Sequence, residues 1–200
     1  MLVLAAVAAC GRSEPRRPAP QRVSVAVPTG AACVRALQGA GYRLGAWQPS
    51  SRSCPVDAPV VTVGPYPRLS PPLRTSCSLL YVWASFEQEI DRIARRTLGA
   101  GLRTVDHYGS YSCRRMTGNA GRASLHASAR AIDVAAFELT DGRRISVKQH
   151  WRSRGPAATF LHAVALAGCS RFSAVLTPLT DRLHDDHLHF DIGSWSVCDA

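Results

Sequence analysis

Two hundred residues set the scale of one domain, with or without a tail, and a composition 46% apolar or aromatic is enough to fill a core. The formal charge is +10, and 23 of the 24 basic residues are arginine. That balance suits a polyanionic partner such as anionic lipid head groups or a cell-wall polymer, or it reflects arginine standing in for lysine on a solvated surface. The basic residues are scattered, with no run longer than two and no interleaved aromatics, which argues against nucleic acid.

The chain opens on MLVLAAVAAC, a short apolar run with small residues before Cys10. This resembles a bacterial lipoprotein lipobox, with cleavage before Cys10 and lipid on its sulfur. The run is too short to span a bilayer. Residues 1–10 are therefore read as a signal and lipobox segment, which predicts export and a lipid anchor at a membrane. Residues 11–27 are rich in Pro and Arg, lack apolar periodicity and read as a tether. The folded domain is expected over 28–200.

Setting Cys10 aside leaves Cys33, Cys54, Cys77, Cys113, Cys169 and Cys198. None forms a C-x-x-C pair, so a zinc ribbon or redox motif is not expected. In an exported chain, six cysteines predict three disulfides. Pairing in order of occurrence gives 33–54, 77–113 and 169–198.

Thr29 is placed to cap a short helix ended by Gly39 and Gly41, and PVVTV (59–63) suggests a short strand. Residues 78–99, SLLYVWASFEQEIDRIARRTLG, predict a long helix. Leu79, Val82, Trp83, Phe86, Ile90, Ile93, Ala94 and Leu98 follow a helical period. Gly99 is placed to cap the helix, and Arg95 and Arg96 suit its last turn. Glu87, Glu89 and Asp91 are read as its solvated face. LRTVDHYGSYSCR (102–114) and AIDVAAFEL (131–139) follow, then TDGRRISV (140–147) with a hairpin turn at Asp141-Gly142. GPAATFLHAVALAGC (155–169) predicts a second helix with Pro156 in its first turn, and FSAVLTP and HLHFDIG are strands. One or two long helices and about five short strands make an α+β domain.

The chemistry concentrates in SLHASARAID and LHDDHLHF. If HLHFDI is a strand, His187 and His189 share one face, while Leu188, Phe190 and Ile192 share the core face. His184 lies three residues before His187 and reaches over the same face. Asp133, seven residues after His126, sits in an apolar run where a bare carboxylate would be costly. It needs a metal, several donors or a cation, and Arg114 and Arg130 are candidate cations. Two histidines and one aspartate with a water make an open zinc site, and the parts are His126, Asp133 and one of the C-terminal histidines.

The H-x(6)-D and H-x-x-H-x-H elements together resemble the LAS metallopeptidases. That fold group includes lysostaphin-type enzymes, D-Ala-D-Ala carboxypeptidases and the zinc domain of hedgehog proteins. The run HDDHLH is similar to the signature of penicillin-insensitive murein endopeptidase. A fuller resemblance, over roughly residues 30–198, is to the bacterial extensin-like C-terminal domain family. It is carried by YSCRR, SLHASARAIDVAAFEL, TDGRRISV, AGCSRF and HDDHLHFDIG. The resemblance implies an α+β fold with a small antiparallel sheet carrying one zinc ion, flanked by helices. It implies His126, Asp133 and His189 as ligands, His184 as general base and His187 as oxyanion stabiliser or water orienter. Arg114 and Ser124 would contact substrate. Many relatives place a Glu before the last His; here the region offers His184, Asp185 and Asp186, so Asp186 is a rival base, and Asp185 and Asp186 could equally cap the turn or brace ligand histidines. The implied activity is hydrolysis of peptide bonds in peptidoglycan, as an endopeptidase or carboxypeptidase. The alternatives are a zinc-stabilised wall-binding module that cuts nothing, or a structural envelope lipoprotein.

Overall fold

The computed structural model describes residues 26–66, 68–116 and 119–200. The expected lipobox with Cys10, and nearly all of the tether, lie outside the described residues. In chain order the elements are α1 (Gly30–Gly39), β1 (Leu44–Ala46), β2 (Pro59–Thr62), β3 (Leu69–Ser70), β4 (Arg74–Ser76) and α2 (Cys77–Leu98). Then come β5 (Leu102–Gly109), β6 (Arg115–Met116), β7 (Asn119–Ala123), a 3-10 turn (Leu125–Ser128), β8 (Ala131–Leu139) and β9 (Arg144–Ser146). The chain closes with α3 (Val147–His150), α4 (Pro156–Gly168), β10 (Ala174–Leu176), a second 3-10 turn (Arg182–His184), β11 (Leu188–Asp191) and β12 (Val197–Cys198).

The main sheet has seven strands, running β12-β10-β11-β8-β5-β3 with β9 alongside β8. Its centre is antiparallel, and parallel pairs occur only at the edges, β10 with β12 and β3 with β5. β1, β2 and β4 form a separate antiparallel sheet. The α+β class is as expected, with more and shorter strands than the apolar alternation suggested. Strands of two or three residues are too brief to show a period.

α2 begins where the Ser76 hydroxyl accepts the Leu79 N–H, and ends at Gly99 in the left-handed conformation (φ 72°). Its apolar stripe packs under the sheet: Phe86 meets Phe172 and Phe190 with ring centres 5.1 and 5.2 Å apart, and Trp83 meets Phe190 at 6.3 Å. Leu188 and Phe190 of β11 and Ile132 and Val134 of β8 are fully buried in the same core. The alternation read in HLHFDI therefore holds, with the histidine face turned away from the helices.

The reading of Glu87 and Asp91 as a solvated face is corrected. Glu87 is 4% exposed, because it stands one turn after Trp83 inside the apolar stripe. Its Oε2 accepts the Arg68 backbone N–H at 2.8 Å and the Trp83 indole N–H at 3.4 Å, which fastens β3 to the helix. Asp91 accepts the Leu102 N–H at 2.8 Å and so fixes the start of β5. Burial pushes the Glu87 carboxyl above its ordinary value, against the pull of Arg68 and the Trp83 N–H. The folded state thus holds this proton more tightly than the unfolded chain, and the contribution strengthens as pH falls through the raised folded value toward 4.5. Both N–H donors fall on one oxygen, which an amide retains; the other oxygen lies 3.6 Å from the Arg68 guanidinium, a pair the amide gives up in exchange for a smaller desolvation cost. Glu87→Gln is therefore expected to melt up to a few degrees above the parent at neutral pH, with the gap closing near pH 4.5. Melting curves across that range check it; a variant equally destabilised at both ends contradicts it.

The disulfide pairing also needs correction in two of three bridges. The bonds are Cys33–Cys77, Cys54–Cys113 and Cys169–Cys198. Cys33 lies on the buried face of α1 and meets the first residue of α2, whereas Cys54 and Cys113 meet in loops. Nearness in sequence gave the wrong partner because the β1–β2–β4 sheet folds the intervening chain back on itself. The 169–198 bridge is as expected and ties the residue after α4 to β12.

Candidate metal centre

β8 is flanked on both sides by hydrogen-bonded neighbours, β5 and β11. In the register of β8 with β11, Asp133 stands directly opposite His189. His126 comes from the 3-10 turn just before β8, where the Ser124 hydroxyl accepts the His126 N–H at 3.3 Å and Ala129 closes the turn in the left-handed conformation. The three side chains converge. His126 Nε2 lies 3.3 Å from His189 Nδ1 and 3.2 Å from Asp133 Oδ2, and His189 Nδ1 lies 2.9 Å from Asp133 Oδ1. Among the described residues this is the group with donors placed to hold a metal ion.

The outer nitrogens fix the inner ones. His126 Nδ1 is 3.0 Å from the backbone carbonyl of Ser110, which can only accept, so Nδ1 carries the hydrogen. His189 Nε2 is 3.3 Å from Asp191 Oδ2, again an acceptor. In the neutral rings the remaining lone pairs, on His126 Nε2 and His189 Nδ1, point at each other and at a carboxylate. Three electron-rich atoms this close need a cation among them. Zinc–ligand bonds of about 2.0–2.2 Å in tetrahedral geometry put ligand atoms roughly 3.3–3.5 Å apart, close to the spacing here. Two imidazoles with one carboxylate suit zinc better than calcium or magnesium. Without metal, a proton does the work. Burial opposes charge on His189, but its bonds to Asp133 and Asp191 prevail and push it up to about 9. Burial likewise raises the Asp133 carboxyl, yet hydrogen bonds from His126 and His189 hold it far below the usual carboxylate range.

His184 and His187 stand beside this cluster, each with a carboxylate of its own. His187 Nδ1 is 2.9 Å from Asp186 Oδ1, and its Nε2 is 3.6 Å from Asp133 Oδ1. His184 Nδ1 is 2.8 Å from Asp181 Oδ1, and its ring lies 5.2 Å from His187 and 5.8 Å from His189. Asp186 is occupied as the partner of His187, with its second oxygen taken by the Tyr108 hydroxyl at 3.2 Å. Asp185 faces outward and pairs with Arg152 at 3.1 Å.

Five of the residues singled out in the sequence, His126, Asp133, His184, His187 and His189, are thus brought together. Arg114 and Ser124 are not part of the cluster. Ser124 is used as the cap of the ligand turn, and both line a cleft of about 550 Å³ beside the Cys54–Cys113 bridge that does not include the ligand trio. Asp133 is satisfied by histidines, and Arg130 instead donates to the Ile192 carbonyl. Sequence reasoning missed Asp191, Asp181, Tyr108 and the Ser110 carbonyl. Asp191 carried a signal, since it lies two residues after His189 on the same strand face.

A family model described as extensin-like protein C-terminus matches residues 31–199. The chain belongs to the extensin-like C-terminal family. The match spans the four helices and twelve strands of the described residues except the first residue of α1, so His126, Asp133 and His189 lie inside the extensin-like domain. No curated protein sequence and no solved structure gives a significant match to the chain. Among its described residues, no helix is long and apolar enough to cross a membrane.

Proposed function

We propose that this extensin-like protein is an exported zinc-dependent peptidase acting on the peptide bonds of peptidoglycan. One observation carries the reading: two imidazole lone pairs and a carboxylate converge within about 3.3 Å, with both tautomers set by acceptors behind the rings. Structural ion pairs do not require that arrangement. Zinc held there by His126, Asp133 and His189 would lower the pKa of a bound water to about 7 and polarise the scissile carbonyl.

The chain's own groups supply the rest. His187 is, beyond the trio, the imidazole whose nitrogen comes within 4 Å of the Asp133 carboxylate among the described residues. With Asp186 holding its Nδ1–H, its Nε2 is free to take a proton, so we assign it the role of base. His184, its Nδ1 held by Asp181 at 2.8 Å, stands alongside; once it has taken up a proton at Nε2 it can stabilise charge that develops on the carbonyl oxygen. Asp186 orients His187. Three disulfides suit an oxidising compartment, and a net charge of +10 suits an anionic wall. Lipid on Cys10 would hold the domain at a membrane facing that wall.

The test is to measure metal in the oxidised protein and incubate it with purified crosslinked muropeptides, with and without chelator. One zinc per chain and a chelator-sensitive product are expected, and the product mass names the bond. One zinc with no product would turn the reading to a wall-binding module. No zinc would overturn it.

A further inference from the structure

β5 and β8 lose register twice where they pass the metal centre. Asp106 pairs with Ala136, His107 with Val134 and Gly109 with Asp133, so Ala135 on one strand and Tyr108 on the other have no partner. The Ala135 bulge has a packing reason: it lets Phe137 enter the core while Asp133, four residues earlier, faces the site. The Tyr108 bulge brings the chain on to buried Ser110, whose carbonyl accepts from His126 Nδ1, and it leaves Tyr108 itself unpaired in the ladder, at the surface. Tyr108 is 62% exposed, and the bulge has Gly109 at φ 125°, a conformation that favours glycine. Bulges re-aim side chains, and this one aims Tyr108 at the loop before β11. The hydroxyl donates to Asp186 Oδ2 at 3.2 Å, and the ring meets that of His187 edge-on at 5.7 Å.

We propose that Tyr108 is a positioning residue, which by holding the Asp186 carboxylate fixes the orientation and tautomer of the His187 imidazole beside the His126–Asp133–His189 cluster. The geometry forms a chain: Tyr108 hydroxyl to Asp186 Oδ2, Asp186 Oδ1 to His187 Nδ1 at 2.9 Å, and His187 Nε2 toward Asp133 Oδ1 at 3.6 Å. Without the phenol, the carboxylate rotates freely, and Nδ1–H loses its fixed acceptor. The inference deepens the hydrolytic reading and rests on it for the work His187 does. The tautomer itself is a property of the protein alone.

Tyr108→Phe, Asp186→Ala and the double variant decide it, each made in the full chain. The first readout is the nitrogen NMR spectrum of His187 in metal-free protein near pH 8, where an ordinary imidazole is neutral, assigned by comparison with His187→Gln. The second is kcat and KM of the zinc-loaded protein on crosslinked muropeptides. The parent is expected to hold the Nδ1–H form. Tyr108→Phe is expected to give mixed tautomers and a kcat lower by about three- to tenfold, with KM and zinc stoichiometry unchanged. The effect of Tyr108→Phe should vanish in the Asp186→Ala background. An unchanged tautomer in Tyr108→Phe overturns the proposal, as does an effect that persists without Asp186 or appears only in KM. If the parent cleaves nothing, the hydrolytic reading fails, while the spectrum still decides whether Tyr108 governs His187.

Discussion

Replacing Asp133 with Asn should weaken zinc binding by more than about a hundredfold and remove peptidase activity, while leaving the fold in place. Losing a carboxylate that only braces a ligand histidine costs about 10- to 100-fold, and Asp133 is itself one of the proposed ligands. The amide is nearly the same size, and the strand holding it is paired on both sides. It cannot offer the charge that a doubly charged ion needs among two neutral imidazoles. Asp191→Asn supplies the graded comparison. Its carboxylate sits behind His189 at 3.3 Å, so its loss should fall in the 10- to 100-fold range. Asp185→Asn, on an exposed pair with Arg152, should change neither. Competition with a chromophoric chelator reads all three. Stoichiometric tight zinc in Asp133→Asn would show that the ligand set is wrong.

Much of this centre was readable from the sequence because the spacing of its parts is local. H-x(6)-D spans one turn and the start of one strand, and H-L-H alternates across a strand whose other face is plainly apolar. What was not readable depended on breaks in regularity or on distant pairing. Tyr108 looks like any strand residue until two bulges shift the register around it. The same shift places Asp133 and Phe137 in opposite environments, although strict alternation would put them on one face. Glu87 falls in the apolar stripe by period, but a carboxylate reads as solvated by residue type, and one of the donors that make its burial tolerable, the Arg68 N–H, comes from a loop distant in sequence. Ser124 lies next to the turn that carries His126 in sequence, yet it is consumed in shaping it, and Arg114 lines a separate cleft.

Removing the Cys33–Cys77 bridge should be the most damaging change to stability. Both sulfurs belong to fully buried residues, and the bond closes a sequence separation of 44, for which chain entropy predicts about 4 kcal/mol. In a chain of this size that corresponds to a loss of roughly 10 °C in Tm. The double Cys33→Ala/Cys77→Ala variant, melted under oxidising conditions, tests it. Under mild reductant the order should be different, with Cys54–Cys113 opening first: Cys113 is exposed and Cys54 half-buried, whereas each of the other two bridges has at least one buried cysteine. Mapping of disulfide-linked peptides during stepwise reduction follows that order. A buried bridge that opens first would contradict it.

The two N-terminal bridges interleave: Cys54 lies between Cys33 and Cys77, and Cys77 lies between Cys54 and Cys113. With the proposed export and with lipid on Cys10, a chain threaded N-terminus first into an oxidising compartment presents Cys33 with Cys54 before Cys77 has emerged. The earliest bond open to it is therefore a wrong one, which must be undone by thiol exchange before α1 can lock onto α2. Maturation should then lean on an isomerase that reshuffles disulfides, and a host with a strong oxidase but little isomerase should accumulate the Cys33–Cys54 form.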